Sequence, residues 1–336
     1  MVNRKRTMLV AVSCVCAVMA CAVVLSGCKG KKQQKVKLGF LVKRPEEAWF
    51  QNEWKFAQKC ADDYGFELVK IGTVDGEKVL SAIDNLAAQG CAGFVICTPD
   101  VRLGPAIVSR ARSYGMKVYT VDDQFVGADG KFMDVPYVGF YALAIGQLVG
   151  RTLYEQFQHR RWNAEETAAC CVTFDELDTA KQRTDGAEAA LIESGFPSRR
   201  IYHAAEKTTD VPGAFDAANA LITQHPEVKK WLVFSVNDEG VMGAVRAFEG
   251  RGFDQSSVIG IGIGGSTCLA EFEKEKPTGF FATALISPLE HGYNTTENLY
   301  KWVVNGIEPP KMIRTTGVIV RRDNYKQIMK EQGLLD

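Results

Sequence analysis

Four short stretches hold most of the side chains that could do chemistry. They are Lys43-Arg44-Pro45-Glu46-Glu47-Ala48-Trp49-Phe50, Asp122-Asp123-Gln124, Asp175-Glu176-Leu177-Asp178-Thr179 with Arg183 beyond it, and Val236-Asn237-Asp238. They supply carboxylates that accept hydrogen bonds, Lys and Arg that donate, and an amide that does both. Two adjacent aromatics complete the set, and Trp49 or Phe50 can cover the apolar face of a ring. Such an inventory suits a polyhydroxylated small molecule. Taken singly, each residue also has a plainer reading, because Asp and Asn are common helix N-caps. Their recurrence after strands in both halves of the chain favours a site.

The same groups fit an enzyme poorly. A retaining glycosidase needs two carboxyls about 5–5.5 Å apart. Glu47 and Asp123 could meet in a cleft, but Lys43 and Arg183 beside them would hold both ionised, which leaves no general acid. The glycines of 260–265 superficially suggest a phosphate loop. A dinucleotide fingerprint would open the first βα unit, whereas these glycines fall late in the chain. Gly264 and Gly265 read instead as positions where the backbone turns tightly or approaches a ligand. The four His are scattered and no Cys-x-x-Cys occurs, so neither a metal nor a cofactor is expected.

The elements carrying these residues alternate. Strand patterns cover residues 36–42, 67–71, 93–97 and 117–121, and helical spacing covers 49–61, 79–87 and 106–112. A loop rich in Gly, Asp and Pro at 127–136 breaks the alternation, which then restarts. Strands at 168–173, 201–204, 231–236, 258–263 and 280–285 follow, with helices at 142–158, 179–194, 212–225, 239–250 and 267–275. This is the pattern of parallel sheets covered by helices on both faces. Two similar α/β halves follow one another, and in such sheets ligands bind beyond the carboxyl ends of the strands.

Lys+Arg and Asp+Glu balance at 40 each, so no basic surface for nucleic acid is implied. At the N-terminus Arg4, Lys5 and Arg6 precede an apolar, uncharged run over 9–25 and then Leu25-Ser26-Gly27-Cys28. That order predicts a secretory signal over 1–27, cut just before a cysteine that carries lipid. Residues 28–35 read as a polar tether. Cys60, Cys91, Cys97, Cys170, Cys171 and Cys268 lie in apolar segments and are expected in the core.

The stretches KLGFLVKRPEEAWFQNEWKFA, GFVICTPD, KVYTVDDQFV, ELDTAKQRTDG, VPGAFDAANALITQHPEVKKWL, GIGIGG, HGY and EPPK carry a resemblance that covers essentially all of residues 36–330. In them the chain resembles the periplasmic sugar-binding proteins of ABC importers, and most nearly the arabinose-binding members. The resemblance implies a type I periplasmic binding protein fold: two doubly wound parallel-sheet lobes joined by three crossing segments. The lobes would be 36–141 plus 287–316, and 142–286 plus 317–336. It implies ligand contacts from Lys43, Glu47, Trp49, Phe50 and Asp123 in the first lobe, and from Arg183 and Asn237 in the second, with Leu177 and Thr179 alongside. The family has a methionine against the ring where this chain has Phe140, and an asparagine on the sugar hydroxyls where it has Gly264. The expected function is that of a lipid-anchored, exported, monomeric receptor on the outer face of the cytoplasmic membrane or in the periplasm. It would bind L-arabinose or a related aldopyranose such as galactose and pass it to permease subunits of an importer. A sugar sensor signalling to a membrane receptor and an exported carbohydrate-active enzyme are the alternatives. A DNA-binding regulator would need a head domain before residue 36, where the export signal stands.

Overall fold

The structure, a computed structural model, describes residues 35–335. The expected signal over 1–27, Cys28 and the tether up to residue 34 lie outside the described residues. No helix among the described residues is long and apolar enough to cross a membrane.

The first half alternates as expected. β1 (Lys37–Val42) is followed by α1 (Ala48–Tyr64), β2 (Glu67–Gly72), α2 (Gly76–Ala88), β3 (Gly93–Ile96), α3 (Gly104–Ser113), β4 (Lys117–Asp122) and β5 (Tyr137–Phe140). In α1 the residues Phe50, Glu53, Phe56, Ala57, Cys60 and Ala61 are buried, a spacing of three and four that makes one inward stripe. Gly65 stops the helix in the left-handed conformation at φ 73°, its N–H bonded to the Ala61 carbonyl, as a C-terminal glycine cap does. The Asp75 carboxylate caps α2 by accepting from the Lys78 N–H. Glu53 is the one charged group on the buried stripe of α1.

The second half repeats the scheme: α4 (Ala142–His159), β6 (Thr167–Thr173), α5 (Asp178–Glu193), β7 (Ile201–Ala205), α6 (Val211–Gln224), β8 (Lys230–Phe234), α7 (Asp238–Gly250), β9 (Val258–Gly264), α8 (Leu269–Phe272) and β10 (Phe280–Ile286). A π-helical turn (Glu290–Asn294) leads into α9 (Thr295–Asn305), and β11 (Met312–Thr315), β12 (Gly317–Arg321) and α10 (Tyr325–Glu331) complete the described chain. The helix expected over 267–275 shrinks to the single turn of α8, because Glu273-Lys274-Glu275-Lys276 offers no apolar face to bury and Pro277 follows.

The strands form two six-stranded sheets, ordered β11-β5-β4-β3-β1-β2 and β12-β10-β9-β8-β6-β7. All neighbours are parallel except β12, which runs antiparallel to β10. Each sheet therefore reverses its winding beside its first strand, the switch point where doubly wound sheets bind ligands. The chain passes between the sheets three times: from β5 to α4, from β10 to the π turn, and from β11 to β12. The six described cysteines are all buried and unpaired, as expected of small core hydrophobes.

Candidate ligand-binding site

A cleft of about 710 Å³ lies between the carboxyl ends of the two sheets, within the roughly 300–1,000 Å³ usual for small-molecule sites. Lys43 follows β1, Asp122 and Asp123 end and follow β4, Phe140 ends β5, and Gly264 ends β9; all face this cleft. So do Glu47, Trp49, Phe50, Leu177, Thr179, Arg183 and Asn237. Every residue singled out from the sequence for ligand contact is thus brought to one place.

Asp123 is the hub. Its Oδ2 accepts from Lys43 Nζ at 2.6 Å, and its Oδ1 accepts from the Thr179 hydroxyl at 3.3 Å. Lys43 belongs to the first sheet and Thr179 to the start of α5 in the second half, so one carboxylate spans the cleft. Burial alone would lower the Lys43 pKa, but Asp123 above all more than offsets it, and the ammonium is held above its ordinary range. Arg183 rises from α5; its Nη1 donates to the Val236 carbonyl at 2.7 Å. Its guanidinium lies 4.8 Å from the centre of the Phe140 ring, a cation–π contact across the cleft. The buried Arg183 Nε has no hydrogen-bond partner among the described residues. A buried donor left in that state costs about 1–3 kcal/mol, so a ligand oxygen is its natural complement.

The remaining residues divide by environment. Trp49 is half-buried and donates its indole N–H to Asp122 Oδ2 at 3.0 Å. Phe50 also lines the cleft but is only 3 % exposed, so it is mostly packed into the wall. Glu47 stands at the mouth, paired with Arg44 at 2.8 Å. Asn237 caps α7 by accepting from the Gly240 N–H and donates to the Thr209 carbonyl. The capping reading is therefore correct for Asn237, which keeps one N–H and one lone pair for a ligand. Gly264 has φ 126°, and a Cβ added there would meet nothing within 4 Å. Asp238 holds this turn, accepting from the Gly265 N–H at 2.8 Å and from the Thr283 hydroxyl at 2.6 Å.

Beside Asp122, which lines the cleft, two groups behind the wall were not assigned a ligand role from the sequence: Glu53 and His291. Asp122 has φ 65°, a left-handed conformation that costs a residue with a Cβ on the order of 1–3 kcal/mol and clusters at functional sites. His291 Nδ1 lies 2.7 Å from Asp122 Oδ1. Burial penalises the Asp122 charge, but His291, Lys43 and Trp49 outweigh it and hold the carboxyl below its ordinary range. Glu53 goes the other way: burial first, then the neighbouring Asp122, push its pKa well up. A carboxyl on the apolar stripe of α1 was the available signal. Nothing periodic marked His291.

The family profile "Periplasmic binding proteins and sugar binding domain of LacI family" matches residues 35–327. The chain belongs to this family. The binding protein is 51% identical over 320 residues to the "L-arabinose-binding periplasmic protein" of Escherichia coli (strain K12), covering 95% of this chain and 97% of that one. It is 48% identical over 301 residues to the "ABC transporter L-arabinose-binding periplasmic protein" of Azospirillum brasilense, covering 89% and 90%. Among solved structures, a periplasmic solute-binding protein of Actinobacillus succinogenes 130z with bound D-allose shares the fold. Its TM-score is 0.75 at 19% identity, covering 87% of this chain and 99% of that one. The binding protein accordingly stands with non-enzymatic receptors, and the type I fold expected from the sequence is the one it adopts.

Proposed function

We propose that the protein captures a monosaccharide, L-arabinose or a related aldopyranose such as galactose, between its two lobes and delivers it to the permease of an ABC importer. We take the lobes as 36–141 plus 287–316, and 142–286 plus 317–336. Cys28 carries the lipid that tethers the exported, monomeric protein to the membrane. Lys43, Glu47, Trp49, Phe50, Asp123, Phe140, Thr179, Arg183, Asn237 and Gly264 form the site.

The observation that carries this reading is Asp123, whose two oxygens take hydrogen bonds from opposite sides of the cleft. A ring of hydroxyls inserted there exchanges partners with Asp123, Lys43 and Thr179, and satisfies the Arg183 Nε. Only the closed arrangement offers both sets of partners, so binding and closure are one equilibrium. The names of the two curated relatives support arabinose as the first ligand to test. Phe140 and Gly264 stand where arabinose-binding members of the family carry methionine and asparagine, which favours a shifted ranking among sugars within the same class.

A thermal-shift screen of residues 36–336 against aldopentoses and aldohexoses tests the ligand. A sugar at 100 times its Kd adds about 2.7 kcal/mol of stability; no shift with any aldopyranose would contradict the proposal. Cys28→Ser tests the tether: the variant should be released from the membrane or remain uncut, and normal processing with retention would contradict it.

A further inference from the structure

We infer that His291 and Thr315 form a hydrogen-bond relay that ties the sugar-facing wall to all three chain crossings between the lobes, and that this relay sets the lifetime of the closed state. The inference rests on the sugar-binding reading above.

The relay starts at the wall. Trp49 lines the cleft and donates to Asp122 Oδ2 at 3.0 Å; the other oxygen of the same carboxylate lies 2.7 Å from His291 Nδ1. A carboxylate can only accept, so Nδ1 carries the proton. His291 Nε2 lies 2.8 Å from Thr315 Oγ1. The Thr315 hydroxyl donates to the Gly139 carbonyl at 3.4 Å.

The placement of these groups gives the relay its consequence. Gly139 lies in β5, just before the first crossing. His291 sits in the π turn that follows the second, and Thr315 ends β11 immediately before the third. π turns within helices are frequent at functional positions. His291 is fully buried and Thr315 is 4 % exposed, so water cannot replace a lost partner. Gly292, the next residue, packs so tightly on the Glu53 backbone that a Cβ there would come within 2.3 Å of the Glu53 carbonyl oxygen. That contact fixes the turn against α1, the helix that begins with Trp49 and its neighbours. The Phe140 ring stacks on His291 at 4.6 Å and also receives the Arg183 guanidinium. Opening the lobes must rotate the backbone at the crossings. Any such rotation moves Gly139 or Thr315 relative to His291 and strains the relay. His291 and Thr315 are thus positioning residues, acting on the sugar through Asp122 and Trp49.

The test uses stopped-flow tryptophan fluorescence on residues 36–336 with whichever of L-arabinose and D-galactose wild type binds more tightly. Thr315→Val removes the hydroxyl at nearly constant shape. It should speed sugar release by about fivefold, the equivalent of one neutral hydrogen bond, with association changed far less. Thr315→Ser should restore wild-type release, and His291→Gln should also speed release if it folds with Asp122 still paired. A purely structural role for Thr315 would lower the unfolding temperature of Thr315→Val and leave the release rate alone, and that result would overturn the inference. If wild type binds neither sugar nor any other aldopyranose, the functional reading fails and the relay fails with it. If wild type binds and both variants release at the wild-type rate, only the relay fails.

Discussion

Thr179 and Asp123 meet across the cleft, the hydroxyl donating to Oδ1 at 3.3 Å while Lys43 holds Oδ2. The two residues lie 56 positions apart, Asp123 just after β4 and Thr179 at the start of α5. One carboxylate therefore reports on both the ligand and the closure. Charge-assisted hydrogen bonds are worth about 1.5–3 kcal/mol. Asp123→Ala or Arg183→Ala should weaken sugar binding about ten- to a hundredfold. Calorimetry giving wild-type affinity for either variant would remove that residue from the site.

Trp49 and Phe50 are neighbours with different fates. Trp49 is half-buried at the cleft, its indole N–H held by Asp122, whereas Phe50 is buried in the wall. Trp49→Ala should weaken binding and abolish the ligand-induced fluorescence change. Phe50→Ala should act on folding, at about 3–5 kcal/mol for a buried phenyl. The comparison is Kd and urea midpoint for both variants; a sugar affinity unchanged in Trp49→Ala would contradict the stacking role.

Gly264 combines open space with a restrictive backbone. A side chain there meets nothing within 4 Å, yet φ is 126°, a value that strains any residue with a Cβ. Gly264→Asn should lower stability and move preference toward L-arabinose over D-galactose. Gly264→Ala carries the same strain without the amide and serves as the control. If the ratio of the two dissociation constants is the same in both variants, the amide does not reach the sugar.

Glu206 gives stability a pH dependence. It follows β7, is 6 % exposed, and neither carboxyl oxygen has a partner among the described residues. Burial first, then Asp210 and Glu239, push its pKa from 4.5 up to about 8. Between those values the folded protein holds a proton that the unfolded chain has lost. Stability contributed by Glu206 should therefore fall as pH rises through that window. Glu206→Gln mimics the protonated form and should flatten the decline. Unfolding midpoints at pH 5, 6.5 and 8 decide it; an identical slope in wild type and variant would contradict the assignment.

Most of the architecture was legible because each half alternates buried strands with amphipathic helices, a local pattern. β5, β11 and β12 were not legible. β11 carries only four residues, with Thr315 alone fully buried, and its place beside β5 is decided by a sheet assembled from distant sequence. Position after a strand singled out Lys43, Asp123 and Gly264, which the fold brings to one cleft. It did not separate Asp122 from Asp123, because the left-handed backbone at Asp122 breaks the alternation that would have sent the two side chains to opposite faces. His291 could not be found by period at all, since its role comes from three crossings that only the folded chain brings together.

The most direct test of the account is a calorimetric titration of residues 36–336 with L-arabinose and, separately, with D-galactose. The account predicts one sugar per chain for at least one of the two, with affinity weakened about ten- to a hundredfold by Asp123→Ala. Absence of binding to both, and to the other aldopyranoses, in a protein shown to be folded would contradict it.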